Sequence, residues 1–106
     1  MIETETRDRF EDARRAMIDS QLRTSGVNAG FVLARMAAVP REEFVPEQFR
    51  AAAYADRALP LPGGAVLPAP VFQGMLLTEA RPAVEDRALV VSGTGYLAAL
   101  LAPLVA

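Results

Sequence analysis

A glycine-containing turn between two apolar segments is the part of the sequence best suited to bind a small ligand. It reads Ser92-Gly93-Thr94-Gly95 and is followed by Tyr96. Glycines lack the Cβ that would block a ligand, and the first amides of a following helix are free hydrogen-bond donors. Nucleotide-like cofactors bind to such turns, so residues 92–96 are the candidate cofactor-binding residues, with Tyr96 flanking the ligand or packing against the preceding strand. A turn that only joins two elements is the alternative.

The residue types that the chain lacks restrict its chemistry further. Its 106 residues include no Cys, His or Trp, and all 11 basic residues are arginine. Disulfides, Cys/His metal sites, Ser-His-Asp triads and lysine Schiff bases are therefore excluded, and we predict no metal site. The formal charge of −2 leaves no basic stripe for nucleic acid. The apolar stretches are shorter than the roughly 20 residues of a membrane span, so we expect a cytoplasmic protein without membrane contact.

Helices are predicted to precede the glycine turn. Apolar residues recur at three- and four-residue steps over Phe10–Leu22, which predicts an amphipathic helix. A second helix is predicted over Asn28–Val39, with Asn28 as its N-cap. A short helix over Glu47–Asp56 and a helix over Val71–Ala80 follow.

Two further patterns predict extended chain. Residues 59–70 are rich in proline and contain Gly63-Gly64, which predicts extended segments around a turn. The apolar run Ala88–Val91 is typical of a buried parallel strand, and the segment from Tyr96 onward is helical in composition. The fold class is therefore α/β. A parallel strand buried on both faces needs neighbouring strands that this sequence does not contain, so we expect a truncated chain or a fragment.

Five blocks of the sequence, in this order and spacing, resemble the protein-L-isoaspartate O-methyltransferase family. They are Met17–Leu22, Val39–Glu47, Ala53–Asp56, Leu59–Leu61 and Arg87–Ala102. The resemblance covers about residues 10–106, roughly the first half of such an enzyme. It implies N-terminal helices leading into the first strand, turn and helix of a Rossmann-like methyltransferase sheet. It also implies S-adenosylmethionine as cofactor and methyl transfer to the carboxyl group of isoaspartyl residues in proteins or peptides.

The chain departs from the pattern of this family in three places. The strand and glycine turn are one residue shorter, lack the first glycine, and have Val90 where an acid is expected. Pro68 occupies the position of the hydroxyl residue that the family links to methyl transfer, and proline offers neither a hydroxyl nor an amide hydrogen. The acid that holds the cofactor ribose would come from a second half that is not in this sequence.

We therefore expect a half-length, inactive member of the family, with the catalytic residue unknown because of Pro68. Residues 1–80 would form a helical N-terminal region, and residues 81–106 the start of the cofactor domain. The alternative is a non-catalytic protein-interaction module whose glycine turn is structural. Self-association is expected through residues 88–91, because unpaired strand edges pair with other chains.

The remaining charged residues have simpler interpretations. Arg14-Arg15 and Glu42-Glu43 are expected to be solvated faces. Asp56 is expected to favour a turn, with a role at a site as the alternative.

Overall fold

A computed structural model describes the backbone of residues 2–91 and 94–106, and the side chains of those from residue 5 onward. Its four α-helices are α1 (Ile2–Met17), α2 (Gly30–Ala38), α3 (Pro70–Ala80) and α4 (Tyr96–Leu101). Strands β1 (Leu59–Pro60) and β2 (Val66–Leu67) form an antiparallel pair. Within the described ranges, no helix is long and apolar enough to cross a membrane.

The first helix changes its winding where hydroxyl side chains compete for its backbone. After α1 the chain continues as a π-helical turn over Ile18–Leu22 and a 3₁₀ turn over Arg23–Ser25. Ser20 Oγ donates to the carbonyl of Ala16 at 2.6 Å, and Thr24 Oγ1 donates to that of Ser20 at 2.6 Å. Such bonds to the preceding turn distort helices. The helical segment predicted over Phe10–Leu22 is confirmed, and it begins earlier, at Ile2.

The second helix differs from its prediction at the start. Its first residue is Gly30, and Ala29 occupies the N-cap position without a side-chain hydrogen bond. The predicted cap by Asn28 is therefore wrong, because the helix begins one residue too late for that side chain. The helix ends at Ala38, one residue before the predicted end at Val39, and Pro40 follows as the predicted stop.

The middle of the chain consists of short, tight elements. Arg41–Phe44 and Glu47–Ala52 are 3₁₀ turns, so the second is shorter than the helix predicted there. The turn between β1 and β2 contains Gly63 and Gly64, with φ of 77° and 81°. These angles favour glycine, and they confirm the predicted turn between extended segments. The helix predicted over Val71–Ala80 is confirmed as α3.

The predicted strand over Ala88–Val91 is wrong. These residues form no strand in the described chain, and the side chains of Leu89 and Val91 are 88% and 77% exposed. A strand is defined by the backbone that it pairs with, and no neighbouring strand is present among the described residues to pair with it. The described residues accordingly do not form the parallel sheet of the predicted α/β class. The described fold consists of helices and one small antiparallel pair.

One hydrophobic core joins these elements. It contains side chains from the end of α1, from α2 and α3, from both strands and from α4. Arg35 of α2 ties down the C-terminal end of α4. Its side chain donates hydrogen bonds to the carbonyls of Leu100 and Ala99 at 3.1 Å each. The backbone amide of Ala106 donates a hydrogen bond to the carbonyl of Asp86 at 2.7 Å. Arg35 therefore holds α4 against α2, and the bond from Ala106 ties the residues after α4 to Asp86.

Candidate functional site

A cleft of about 160 Å³ lies between the glycine turn and the segment around Pro68. The described part of the turn, Thr94 and Gly95, forms one side, and β2 with Pro68 and Gln73 forms the other. The residues that line it are Val66, Leu67, Pro68, Gln73, Val90, Val91, Thr94, Gly95 and Leu97. The structure thus brings together two features that lie 26 residues apart in the sequence: the candidate cofactor turn and the proline at the expected hydroxyl position.

In the described part of the glycine turn, Gly95 has a φ of 94°. A Cβ at this position would lie 3.7 Å from the ring of Phe44, an ordinary contact, so the angle and not the space requires glycine. The amide of Tyr96 points back to Thr94 Oγ1 at 3.3 Å. Ser92 and Gly93, the other predicted members of the turn, lie outside the described residues. The assignment of a cofactor to residues 92–96 stays a prediction.

Arg41 lies directly behind the cleft and is 1% exposed. Its Nη2 donates to the carbonyl of Pro68 at 2.7 Å, and its Nη1 donates to Gln73 Oε1 at 2.5 Å. Its Nε donates to the carbonyl of Ala53 at 2.5 Å. Burial lowers the pKa of Arg41. One buried cation therefore fixes the wall of the cleft that contains Pro68 and Gln73.

The side chain of Tyr96 points into the core and is 0% exposed. The Arg41 guanidinium lies 4.9 Å from its ring centroid, and the Phe44 ring meets it edge-on at 5.7 Å. Burial raises the pKa of Tyr96, and the neighbouring charge of Arg41 opposes that shift. The ring packs against these two side chains, so its described contacts are internal.

A second set of polar contacts joins Arg14 of α1, Glu42 of the 3₁₀ turn Arg41–Phe44, and Tyr54. Arg14 Nη2 is 3.2 Å from both carboxylate oxygens of Glu42, and Arg14 Nε donates to Tyr54 Oη at 2.8 Å. Tyr54 donates a short hydrogen bond to Glu42, and its oxygen accepts the backbone amide of Arg41 at 3.1 Å. Burial and the Glu42 carboxylate raise the pKa of Tyr54. Burial lowers the pKa of Arg14, but its hydrogen bond to Tyr54 and the charge of Glu42 raise it overall.

The interpretation of Arg14 and Glu42 as solvated is therefore wrong, while their neighbours Arg15 and Glu43 are exposed as expected. The sequence contains a signal for Arg14, which lies four residues after Phe10 and three before Met17, on the apolar face of α1. No comparable signal identifies Arg41, because its partners come from distant parts of the chain. Asp56 is exposed in a bend and does not line the cleft, in agreement with its interpretation as a turn residue.

A larger opening of about 310 Å³ lies elsewhere, against α1. Phe10, Ala13 and Tyr54 contribute to its lining, and Arg9 and Arg50 supply its basic groups. Thr94, Gly95 and Tyr96, the described residues among those predicted to bind a cofactor, do not border it.

Comparison with known proteins identifies the family. A sequence model of the family Protein-L-isoaspartate(D-aspartate) O-methyltransferase (PCMT) matches residues 12–106, nearly the whole chain. The chain belongs to this family. The resemblance inferred from the five sequence blocks is confirmed.

Curated relatives agree with the family match. The protein-L-isoaspartate O-methyltransferase of Koribacter versatilis is 46% identical over 94 residues, which are 88% of this chain and 42% of the relative. That of Aeropyrum pernix is 44% identical over 100 residues, 92% of this chain and 38% of the relative. That of Herpetosiphon aurantiacus is 39% identical over 99 residues, 92% of this chain and 44% of the relative. The chain spans about two-fifths of the length of these methyltransferases.

The cleft is small for a complete cofactor of this family. Sites for ligands of that size usually measure about 300 Å³ or more, roughly twice the volume found here. Its lining is mostly apolar, with Gln73 and Thr94 as its polar side chains. Val90, at the position where the resemblance predicts an acid, lines the cleft without offering a hydrogen-bonding side chain. The space that the described residues line is therefore too small for the whole S-adenosylmethionine molecule.

Proposed function

We propose that this chain supplies the substrate-side helices and the first cofactor-binding turn of an S-adenosylmethionine-dependent protein-isoaspartate O-methyltransferase. The observation that carries the proposal is the family match over residues 12–106. In this proposal residues 1–80 are the helical N-terminal region, and residues 81–106 begin a Rossmann-like cofactor domain. The methyl acceptor is the carboxylate of an isoaspartyl residue in a protein or peptide.

Residues 92–96 are proposed to contact the cofactor, mainly through their backbone. Support comes from the cleft, in which Thr94 and Gly95 face Pro68 across a narrow space. The positive φ of Gly95 sets the direction of the chain as it enters α4. Because the cleft accommodates only part of the cofactor, the remaining contacts must come from residues outside those described.

The residues around the cleft are suited to positioning and not to proton transfer. S-adenosylmethionine, when bound, supplies the methyl group. A carboxylate acceptor is already ionised at neutral pH, so its reaction needs alignment and removal of water more than a general base. Val66, Leu67 and Val90 provide an apolar lining, and Arg41 holds the carbonyl of Pro68 in place.

We propose further that the 106 residues alone do not transfer methyl groups. Pro68 lacks the hydroxyl expected at its position, and the matched relatives are more than twice as long. The test is incubation with radiolabelled S-adenosylmethionine and an isoaspartyl peptide. The chain alone should give the buffer blank, whereas a fusion to the remaining C-terminal part of the Koribacter versatilis relative, carrying Pro68→Ser, should label the peptide. A fusion that stays at the blank while its Koribacter versatilis parent is active would contradict the proposed function.

A protein-interaction module is the second candidate, favoured by the exposed apolar surface. On α3, Phe72, Met75 and Leu76 are 59%, 45% and 42% exposed. Leu89 and Val91 add a second apolar surface, through which we propose self-association. Binding of S-adenosylhomocysteine separates the two candidates, because only the methyltransferase proposal requires a cofactor site.

A further inference from the structure

The opening of about 310 Å³ against α1 takes no part in the proposed methyl transfer. Its lining is mostly apolar and includes Phe10 and Ala13 of α1, which are partly buried against the hydrophobic core. Tyr54 also lines it, and the hydroxyl of this residue is already bound inside the protein by Arg14 and Glu42. The opening therefore offers carbon surface that suits an apolar group of a ligand.

Two arginines add positive charge to this lining. Arg9 belongs to α1 and Arg50 to the 3₁₀ turn Glu47–Ala52, and both residues are exposed. Among the residues that the structure describes, no salt bridge includes either of them. Guanidinium groups next to apolar surface favour a ligand that carries both negative charge and an apolar group.

The described acidic residues of α1 do not line this opening. The residues of α1 that do line it follow helical steps of three and four and so share one face: Thr6, Arg9, Phe10 and Ala13. Asp12, the acid three residues after Arg9, forms its salt bridge with Arg15. Although the chain has a formal charge of −2, the charged groups of this lining are all positive.

We propose that this opening binds an acidic segment of a partner protein. One apolar side chain of the segment rests on Phe10 and Ala13, and carboxylates beside it pair with Arg9 and Arg50. A carboxylate matches the paired N–H donors of a guanidinium group, and arginines commonly recognise acidic motifs. The proposal goes beyond the methyltransferase function, because this opening and the cleft at the glycine turn share no lining residue.

Two other classes of anionic partner fit this surface less well. Nucleic acid requires a series of basic groups, whereas this lining has two arginines in a chain of net charge −2. An anionic membrane would meet the exposed acids Asp8, Glu11 and Asp12 on the same helix. A peptide segment, in contrast, needs only the apolar lining and the two arginines.

The test is a ¹H–¹⁵N titration of the full chain with the peptide Glu-Asp-Phe-Asp-Glu. Two matched peptides separate its contributions: Gln-Asn-Phe-Asn-Gln lacks the charges, and Glu-Asp-Gly-Asp-Glu lacks the apolar side chain. The acidic phenylalanine peptide should shift the backbone amides of Thr6, Arg9 and Ala51, which line the opening. It should bind at least about fivefold more tightly than either matched peptide.

A pair of double variants tests the two arginines. Arg9→Gln/Arg50→Gln removes both charges from the opening, and Arg7→Gln/Arg57→Gln removes two exposed charges that do not line it. An exposed charge pair contributes up to about fivefold in affinity, so the loss of two pairs predicts a decrease of roughly tenfold. The control should bind within about twofold of the parent chain, because salt screens charges outside the opening.

A second copy of the chain is the alternative occupant, because Val84 is 76% exposed and is followed by exposed Glu85. Shifts of the same amides when the chain alone is concentrated, with no further change on adding peptide, would assign the opening to a second copy and overturn the proposal. Equal losses of affinity in the two double variants would also overturn it. So would equally tight binding of the uncharged peptide, or no shift at the opening with millimolar acidic peptide.

Discussion

Replacement of Glu42 by alanine should destabilise this fold strongly, although its neighbour Glu43 should be replaceable at little cost. The Glu42 carboxylate receives hydrogen bonds from Arg14 and Tyr54 inside the protein. The side chains of Arg14 and Glu42 are only 13% and 11% exposed, so water cannot replace the lost carboxylate efficiently. Glu43, one residue later, is exposed.

The expected magnitude follows from leaving the Arg14 charge and the Tyr54 hydroxyl without their acceptor. Removing one partner of a buried ion pair typically costs ~3–5 kcal/mol. The slight residual exposure of this pair favours the lower value, about 3 kcal/mol, which corresponds to a fall in Tm of roughly 15 °C for a domain of this size. Glu43→Ala should change the free energy of unfolding by less than about 0.5 kcal/mol.

Urea unfolding followed by far-ultraviolet circular dichroism measures both variants on the same scale. Arg14→Met and the Arg14→Met/Glu42→Ala double variant complete a cycle, in which the double variant should lose clearly less than the sum of the single losses. Equal stability of Glu42→Ala and Glu43→Ala would refute the reasoning, as would additive losses in the cycle. Either result would mean that the cluster does not form in solution.

Three further predictions concern the tyrosines, the glycine turn and the exposed apolar segment. Burial raises the pKa of Tyr54 and Tyr96 in the folded chain. Their contribution to stability is therefore present below pH 10 and is lost as the pH rises above that value, by about 1.4 kcal/mol per pH unit for each tyrosine. Titration at 295 nm should show tyrosines that ionise near pH 10 only after unfolding in urea, and ionisation near pH 10 in the native chain would contradict this prediction. Gly95→Ala should lower the free energy of unfolding by about 1–2 kcal/mol because of the positive φ at this position, whereas Gly30→Ala in α2 should leave Tm unchanged or raise it. Equal effects of the two substitutions in thermal unfolding would count against the turn geometry. Light scattering after size exclusion should detect oligomers of the parent chain, which Leu89→Lys reduces; a monomeric parent chain at tens of micromolar would argue against self-association.

The helices could be predicted because their information is local. Apolar spacing over Phe10–Leu22 identifies the buried face of α1, and proline at position 40 limits α2. The turn between β1 and β2 was equally accessible, since Gly63 and Gly64 supply the positive φ that it needs.

The polar interior could not be predicted because its partners lie far apart in the chain. Arg14 meets Glu42 28 residues later and Tyr54 40 residues later, and Arg41 reaches Gln73 32 residues on. Neither composition nor periodicity encodes such pairings. The strand predicted over Ala88–Val91 failed for a related reason: its apolar sequence suits a strand, but a strand requires a partner that the described residues do not provide.

The most direct test of the account is a ¹H–¹⁵N titration of the chain with S-adenosylhomocysteine. The account predicts that the backbone amides of Thr94 and Gly95 shift together with the side-chain amide of Gln73, because these residues line the cleft. The amide of Tyr96, which follows Gly95, should shift with them. The amides of Arg9 and Arg50, beside the larger opening against α1, should remain in place. Shifts confined to that opening, or no shift at saturating ligand, would contradict the proposal that the glycine turn binds the cofactor.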